Sequence, residues 1–424
     1  MDIKIFPKKL NGIIEAPPSK SHAHRVLIAL KLAQLQGSGS THDQAVPSFS
    51  LDIEATKNCL VQMDKMAPFL DCKESGSTLR FMLPVAMALK DEAVFIGTGN
   101  LPYRPLSPLK EEMEAHGCRF LMGDRSRDRH DKYKEICTVK GRLRPGRYRL
   151  KGNVSSQFIT GLLLSLPLLD GDSILELTTE LESAGYVDLT MDVLKDFGIV
   201  ITEKKSSEGF NIYEVAGNQR YTSPERIKIQ GDWSNAAFWI ACGALGGDIT
   251  LKGLDTGSSQ RDKEILTIFE KMGADISTYK ENGSDTVRCT GGNLNAVNVS
   301  VAQIPDLVPV IASAMAFANG TSMITDAERL RIKESDRIMT VCDFLSKLGA
   351  DITDGGFSIS VTGSNHLAGG LISGHNDHRI VMAAAVASCG CLDPVIITGA
   401  EAINKSYPGF FKDFAALGGD IREV

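Results

Sequence analysis

The 424-residue sequence lacks two features that would point to a nucleic acid or a membrane. Its formal net charge is −6, whereas general nucleic-acid binding needs a basic surface, so any cationic site must be local. No apolar run approaches the length of a membrane span, and Met1–Ile5 lack the apolar core of a signal peptide. We therefore expect a cytoplasmic protein without a membrane or nucleic-acid partner.

The sequence also has little that indicates a metal or a nucleophile. Its nine cysteines include no CxxC pair, and Cys389-Gly390-Cys391 has none of the His or Cys partners that a zinc site needs. Such cysteines are typical of reduced, buried thiols. There is no P-loop and no nucleophile–base triad. We expect no metal and no cofactor. The remaining cations and isolated carboxylates suit acid–base addition and elimination on polyanions.

One sequence pattern recurs: the end of an amphipathic helix, a glycine, and the start of a β-like run. The glycines lie 69 to 81 residues apart, at Gly117, Gly198, Gly273, Gly349 and Gly418. Each fits a helix C-cap, where φ is positive. With a weaker copy near Met63, the period predicts about six α/β units of roughly 70 residues. A chain of this length favours two domains, so we expect three units in each.

Several polar segments precede apolar runs that we predict to be helices. Pro17 and Pro18 exclude a helix, and Ser19 or Ser21 could cap the run 26–35. Lys20 and its neighbours then lie at a helix start, where backbone N–H groups favour an anion. Comparable segments are 74–80 before 81–89, 152–157 before 158–169, 304–306 before 307–318, and 376–379 before 380–387. Taken singly, each is also compatible with an ordinary capped helix.

Two clusters of charge have alternative interpretations. If 329–337 is helical, Lys333 and Arg337 share one face at i,i+4 beside Glu334, either as a site or as a solvated salt-bridge helix. Residues 119–151 contain twelve Lys or Arg against four acids. The alternation of Arg147 and Arg149 with apolar neighbours favours an edge strand with a charged outer face over a nucleic-acid patch.

In order and spacing, these motifs resemble those of the EPSP synthase family of enolpyruvyl transferases, from residue 17 to residue 411. The most specific matches are Lys20-Ser21-x-x-x-Arg25, Ser155-Ser156-Gln157, the segment 333–337 and the segment 377–379. The resemblance implies an α/β (α+β) fold, a two-domain inside-out α/β barrel in which each domain has three βαβαββ repeats about a pseudo-threefold axis. It implies that 16–226 is inserted into a second domain of 1–15 plus 227–424, with the active site in the cleft between them.

The resemblance also implies the reaction. Members of the family transfer the enolpyruvyl group of phosphoenolpyruvate to the 5-hydroxyl of shikimate 3-phosphate and release phosphate, in the shikimate pathway of aromatic amino acid biosynthesis. We expect these two small molecules as the partners of a monomer. Gly76 has no side chain to crowd the phosphoenolpyruvate site, so we also expect inhibition by glyphosate.

The residue roles follow from the same resemblance. It implies catalytic roles for Lys20, Asp306, Lys333 and Glu334. Asp306 would take the proton of the attacking hydroxyl, and Glu334 or Lys20 would protonate the methylene carbon. The implied shikimate 3-phosphate ligands are Ser21, Arg25, Ser155, Ser156, Gln157, Ser183, Tyr186, Asp306, Arg329 and Lys333. The implied phosphoenolpyruvate ligands are Lys20, Gly76, Arg104, Gln157, Arg337, Arg379 and Lys405.

Two alternatives stay open. A sister family that transfers enolpyruvyl to UDP-N-acetylglucosamine shares the fold, but it usually has Cys where this sequence has Gly99 and Asn where it has Ser21. The second alternative is a non-catalytic relative that binds anions, or nucleic acid through residues 119–151. Glu74 and Arg329 stand where the EPSP synthase family commonly has Asn, and each adds a charge near the predicted site.

Overall fold

The computed structural model describes residues 1–38, 46–47, 49–124, 133–281 and 284–424. Contacts divide the chain into two compact units. One consists of Met1–Ser19 with Gln230–Val424 and is called the discontinuous unit below; the other, Lys20–Ile229, is called the inserted unit. The sequence-based boundaries, after residues 15 and 226, lie within four residues of this division. The location of the active site between the two domains stays a prediction, as does the role of the basic region 119–151, of which residues 125–132 lie outside the described residues.

The described residues form twelve α-helices. They are α1 (Lys20–Leu35), α2 (Leu51–Gln62), α3 (Gly76–Leu89), α4 (Leu109–Ala115), α5 (Ser156–Ser165), α6 (Ala184–Asp196), α7 (Trp233–Ala244), α8 (Ile265–Met272), α9 (Val308–Met315), α10 (Arg337–Lys347), α11 (His378–Ser388) and α12 (Phe410–Ala416). In the part of the chain that the structure describes, no helix combines the length and the apolar character needed to cross a bilayer.

The same residues form twenty β-strands. They are β1 (Ile3–Phe6), β2 (Asn11–Glu15), β3 (Phe69–Asp71), β4 (Glu92–Gly97), β5 (Arg119–Met122), β6 (Lys134–Lys140), β7 (Arg147–Leu150), β8 (Ser173–Leu177), β9 (Ile201–Lys205), β10 (Asn211–Val215), β11 (Asp248–Leu254), β12 (Asp275–Glu281), β13 (Ser284–Thr290), β14 (Asn298–Ser300), β15 (Thr321–Thr325), β16 (Asp351–Asp354), β17 (Ile359–Thr362), β18 (Gly370–Ser373), β19 (Val395–Thr398) and β20 (Asp420–Glu423).

The strands build five four-stranded sheets of one topology, in which a parallel pair is extended by two antiparallel strands. The inserted unit contains β3-β4-β6-β5 and β7-β8-β10-β9. The discontinuous unit contains β2-β11-β13-β12, β14-β15-β17-β16 and β18-β19-β1-β20. The sixth predicted unit, near Met63, contributes α1 and α2, and no named strand falls among its described residues 20–38, 46–47 and 49–63.

The first residues belong to the discontinuous unit because their strands complete its sheets. β1 lies between β19 and β20, with Ile3 opposite Ile397 and Ile5 opposite Ile421. Ile3 and Ile5 are both buried, as the two-residue period of a strand with one buried face requires. β2 runs parallel to β11, which follows the inserted unit in sequence. The chain therefore supplies β1 and β2 to the discontinuous unit before it enters the inserted unit.

Each of the five repeated glycines lies between a helix and a strand, as the sequence pattern predicts. Their φ angles lie between 77° and 102°, a region that side chains with a Cβ rarely adopt. Gly273, for example, is the C-cap of α8, and its N–H bonds back to Glu270 O, while β12 begins two residues later. The other four glycines follow the C-cap residue of their helix by one position, so the predicted positive φ at the helix ends is confirmed while the C-cap position itself holds only for Gly273.

The N-termini of the helices carry most of the predicted site residues. Lys20, Gly76 and Arg337 are the first residues of α1, α3 and α10. Ser155 caps α5 by accepting a bond from Gln157 N, and Asp377 caps α11 by accepting one from Arg379 N. Free backbone N–H groups and the helix dipole at these ends favour anions. The repeat therefore places one kind of anion-binding element at several positions in each unit.

The first helix differs from the prediction. It begins at Lys20, six residues before the predicted run, so Ser21 lies inside the helix and is not its cap. The polarity of His22, His24 and Arg25 suggested that they lie outside the amphipathic run. In the structure all three are buried, so the buried part of the helix extends to include them. Ser19, just before the helix, donates its hydroxyl to Gln260 Oε1 at 3.1 Å within the discontinuous unit.

Candidate active site

In the inserted unit, Arg25 is buried among neutral oxygen atoms. Its guanidinium donates to Ser21 O at 2.5 Å, to Tyr186 O at 2.8 Å, and to the hydroxyls of Thr160 and Thr190. Burial lowers the pKa of Arg25 to about 9, which leaves it protonated at neutral pH. Each of these acceptors is neutral, so the cation has hydrogen bonds without a balancing negative charge from them.

A second cluster in this unit is centred on Gly76. A Cβ at Gly76 would lie 2.6 Å from Arg104 Nη1 and 2.7 Å from Arg80 Nη1, so two guanidinium groups approach the backbone at the start of α3. Arg80 donates to Gln157 Oε1 at 2.7 Å, and Gln157 Nε2 donates to Ser77 Oγ at 2.9 Å. The Gln157 amide is thereby oriented from both sides. Arginine pairs so close together suit an anion with several oxygens.

A third contact joins the first residue of α1 to the first turn of α2. Lys20 Nζ lies 2.8 Å from Asp52 Oδ2, and both side chains are about 15% exposed. Four of the residues expected to bind shikimate 3-phosphate lie at helix starts: Ser155 and Ser156 at α5, and Ser183 and Tyr186 at α6. Ser183 has a φ of 55°, in the left-handed region, immediately before α6.

In the discontinuous unit, Asp306 is held by three cations. Its Oδ1 accepts from Arg337 Nη1 at 2.8 Å and from Lys333 Nζ at 3.3 Å, while Oδ2 lies 3.2 Å from Arg379 Nη2. Arg379 also donates to Asp306 O at 3.1 Å. The sequence-predicted residues Asp306, Lys333, Arg337 and Arg379 therefore meet around one carboxylate.

Arg337 is the centre of this cluster and is paired with three carboxylates. Its side chain is 1% exposed, and it donates to Asp306, to Glu334 Oε2 at 2.6 Å and to Asp377 Oδ2 at 2.8 Å. Burial alone would lower the pKa of Arg337, but Asp377, Glu334 and Asp306 outweigh it and raise the pKa.

Burial and neighbouring charges shift the pKa values of Lys333 and Asp262 in opposite directions. Burial lowers the pKa of Lys333 to about 8, against the opposing effect of Asp306. Burial and Asp306 raise the pKa of Asp262 to about 6, and Ser234 donates its hydroxyl to this carboxylate. Groups with pKa values near neutral pH, beside one another, are typical of acid–base sites. Because the charges interact, their titrations are shared.

The backbone around Lys333 corrects one structural expectation. Residues Glu328–Ile332 form a short 3₁₀ turn, Lys333 is extended, and α10 begins only at Arg337 with Asp336 as its cap. Lys333 and Arg337 therefore do not share a helix face; they meet through Asp306. Arg329 is buried in the 3₁₀ turn, and Lys405 Nζ donates to Asn376 O at 2.6 Å, next to the Asp377 cap.

The sequence interpretation missed Arg80, Asp52 and the hydroxyls of Thr160 and Thr190. Arg80 had a signal, since it lies four residues after Gly76 and so on the same face of α3. Asp52 had none beyond its place in a helical first turn. No group of three or more His, Cys, Asp or Glu side chains suited to a metal ion occurs within the described ranges.

Comparison with known proteins decides the family. The family model for EPSP synthase (3-phosphoshikimate 1-carboxyvinyltransferase) matches residues 6–414. The chain belongs to the EPSP synthase family. A 3-phosphoshikimate 1-carboxyvinyltransferase of Clostridium novyi is 40% identical over 445 aligned residues, covering 100% of this chain and 98% of the relative. One from Clostridium perfringens strain 13 is also 40% identical, with 99% of each chain covered. The chain is therefore a transferase of the EPSP synthase family.

Solved structures support the same fold. An EPSP synthase from Acinetobacter baumannii matches with a TM-score of 0.75 at 22% identity, over 100% of both chains. The enolpyruvyl transferase NikO from Streptomyces tendae matches with a TM-score of 0.71 at 15% identity, over 100% of this chain and 98% of its own. The predicted α/β fold of the EPSP synthase family is confirmed. A fold by itself does not select the acceptor.

Proposed function

We propose that this protein transfers the enolpyruvyl group of phosphoenolpyruvate to the 5-hydroxyl of shikimate 3-phosphate and releases phosphate. The observation that carries the proposal is the different charge balance around Arg25 and around Asp306. Arg25 is surrounded by neutral acceptors, which suits an anionic substrate, whereas Asp306 is surrounded by three cations, which suits a carboxylate that accepts a proton in the reaction.

In the proposed arrangement, shikimate 3-phosphate is bound by Arg25, Ser21, Ser155, Ser156, Gln157, Ser183, Tyr186 and Arg329. The serines are positioned at helix starts, where hydroxyls and backbone N–H groups suit phosphate oxygens. The substrate carboxylate supplies the negative charge that Arg25 lacks among its neutral acceptors.

Phosphoenolpyruvate is bound by Lys20, Gly76, Arg104, Arg337, Arg379 and Lys405, with Gln157 between the two substrates. Gly76 has no side chain, so the guanidinium groups of Arg80 and Arg104 approach its backbone closely. Because no Cβ intrudes beside these cations, we also propose that glyphosate inhibits the enzyme at concentrations comparable to the KM for phosphoenolpyruvate.

The chemical steps then follow from the Asp306 cluster. Arg337 and Arg379 turn towards the incoming anion, which weakens their hold on Asp306 and raises its affinity for a proton. Asp306, close to Lys333, accepts the proton of the 5-hydroxyl as its oxygen bonds to C2 of phosphoenolpyruvate. Glu334 or Lys20 supplies a proton to C3. In the second step a proton leaves C3, the C2–O bond to phosphate breaks, and the phosphate departs with a proton from the same groups.

We propose that the enzyme acts as a monomer in the cytoplasm. Phosphate release from phosphoenolpyruvate tests the function directly. We expect release with shikimate 3-phosphate and none with UDP-N-acetylglucosamine as the acceptor. Release with the sugar nucleotide alone would overturn the proposal in favour of the sister activity. Release with neither acceptor, together with salt-sensitive binding to DNA or RNA, would favour a non-catalytic relative.

A further inference from the structure

We propose that Asp52 is a positioning residue that holds the Lys20 ammonium in place for the reaction. The proposal rests on the proposed function, because Lys20 is assigned there to the phosphoenolpyruvate site. Asp52 Oδ2 accepts from Lys20 Nζ at 2.8 Å, a normal length for a charge-assisted hydrogen bond. Both side chains are about 15% exposed, so the pair is partly shielded from water and still open to a small ligand.

The place of Asp52 in α2 is not explained by helix capping. Ser50 already caps this helix, since its side chain accepts from Ile53 N. A carboxylate in a first turn gains from the helix dipole whichever way it points. Nor does stability explain the pair, because the desolvation of two partly buried charges largely cancels their attraction. The specific feature of the Asp52 carboxylate is its contact with the Lys20 ammonium.

The packing of α1 against α2 fixes where this contact falls. One turn after Lys20 and Asp52, His24 Nδ1 lies 2.7 Å from Thr56 Oγ1, at the same sequence separation of 32 residues. Burial, with Lys20 and Arg25 nearby, lowers the pKa of His24 well below its ordinary value, so this imidazole is neutral. These two contacts, which have the same sequence separation, fix the position of Lys20 in α1 relative to α2.

A chain of hydroxyl groups leads from Thr56 to the start of α3. Thr56 Oγ1 lies 2.7 Å from Thr78 Oγ1, and Thr78 Oγ1 lies 2.7 Å from the Oγ of Ser75, the cap of α3. Thr78 Oγ1 is also within 3.5 Å of Asp52 O. The helix α2 is therefore linked through Thr56 to the helix start that presents Gly76. A shift of α2 would move Lys20 relative to the Gly76 cluster.

The chain offers a matched control on the same two segments. Lys31 Nζ lies 2.7 Å from Asp64 Oδ1, and Lys31 follows Lys20 on α1 by about 16 Å at 1.5 Å per residue. This pair has the same chemistry, but Asp64 is 62% exposed and neither residue is one of the predicted site residues. Asp64→Asn removes the same charge from a pair outside the site.

The first experiment measures phosphate release with shikimate 3-phosphate for the full chain. We expect Asp52→Asn to lower kcat by about 10- to 100-fold, the cost of misplacing a reacting group, with the KM for shikimate 3-phosphate within about 3-fold of wild type. Asp52→Glu, which keeps the carboxylate, should recover part of the lost kcat. Asp64→Asn should leave both constants within about 2-fold.

A double-mutant comparison separates positioning from general damage. Because Asp52 acts through Lys20, Lys20→Met/Asp52→Asn should be no slower than Lys20→Met alone. If the two effects multiply, or if Asp52→Asn keeps kcat within 2-fold of wild type, the proposal is wrong. Removing both members of the pair leaves no unpaired charge, so this comparison holds even if Asp52→Asn folds poorly.

A second readout does not depend on activity. Acetylation of lysines by N-hydroxysuccinimide acetate, followed by mass spectrometry, measures how freely each ammonium reacts. We expect Asp52→Asn to raise the labelling of Lys20 at least about 3-fold relative to Lys31, and Asp64→Asn to raise that of Lys31 instead. Unchanged labelling of Lys20 in Asp52→Asn contradicts the proposal whatever the activity. A wild-type chain that releases no phosphate with shikimate 3-phosphate contradicts the proposed function, and the labelling result still decides whether Asp52 holds Lys20.

Discussion

Arg25 in the inserted unit and Arg337 in the discontinuous unit are equally buried, and their surroundings are opposite. Their exposed fractions are 2% and 1%. Arg25 donates to two backbone carbonyls and two threonine hydroxyls, whereas Arg337 donates to three carboxylates. Burial lowers the pKa of Arg25, while the carboxylates raise that of Arg337. The charge of Arg337 is therefore balanced by its own carboxylates, whereas the neutral acceptors of Arg25 leave its charge unbalanced.

The test of this difference with the largest expected effect concerns Asp306, whose carboxylate contacts three cations. We expect Asp306→Asn to lower kcat by about 10²- to 10⁴-fold, because the proton acceptor is lost while the shape of the side chain is kept. Phosphate release measures the effect, and the melting temperature serves as the folding control. Near-normal turnover would remove Asp306 from its catalytic role and would break the contrast between the two units.

The second test compares the two arginines directly. Arg337→Met should lower the free energy of unfolding by about 3–5 kcal/mol, because it leaves buried carboxylates without a counter-charge. Arg25→Met should cost only about 1–2 kcal/mol, since it leaves neutral hydroxyls and carbonyls unsatisfied. Urea unfolding at neutral pH measures both. The folded Arg25→Met variant should raise the KM for shikimate 3-phosphate far more than it lowers kcat. Equal losses of stability would contradict the assigned difference in charge balance.

A third test concerns the close approach of two guanidinium groups to Gly76. Gly76→Ala places a Cβ within 2.7 Å of Arg80 and Arg104, both of which are buried and must move. We expect the KM for phosphoenolpyruvate to rise by about 10- to 100-fold, the usual cost of a displacement near 1 Å. Gly409→Ala is the control, because its Cβ would meet other atoms only at 3.6 Å or more. An unchanged KM in Gly76→Ala would exclude this glycine from the site.

The smallest expected effect is the pH dependence due to Lys333. Its pKa of about 8 means that the ammonium is lost as the pH rises through 8, and Asp306 then loses one of its three cations. We expect kcat/KM, which reports the free enzyme, to fall by about 10-fold between pH 7 and pH 9. Lys333→Arg stays protonated, so its alkaline fall should move to higher pH. If the profile of Lys333→Arg superimposes on that of wild type, another group causes the fall.

Much of the fold followed from local chemistry in the sequence. The five glycines mark helix C-caps because a positive φ is a property of the backbone at one residue. The helix starts that carry Gly76, Ser155 and Asp377 were visible because caps and apolar runs are adjacent in sequence. Arg147 and Arg149 form the exposed side of the edge strand β7, as alternation predicted, and both lie close to Glu176.

The first helix and the segment around Lys333 were less predictable, for one physical reason. In both places the burial of charged groups is balanced by partners far away in sequence. Residues 160, 186 and 190 accept hydrogen bonds from Arg25, and the carboxylates of residues 306 and 377 pair with Arg337. Polarity in the sequence therefore suggested exposed or solvated segments where the structure has buried, hydrogen-bonded ones.

The sequence by itself determined the repeat, the fold family and the set of polar helix starts, because turns, caps and periodicity depend on neighbouring residues. Only the tertiary structure decided that Asp306 is held by Lys333, Arg337 and Arg379, that Arg80 joins Arg104 at Gly76, and that Asp52 holds Lys20. These contacts depend on distances between elements that are 24 to 73 residues apart in sequence. Charge balance is such a property, and it differs between the two buried arginines Arg25 and Arg337.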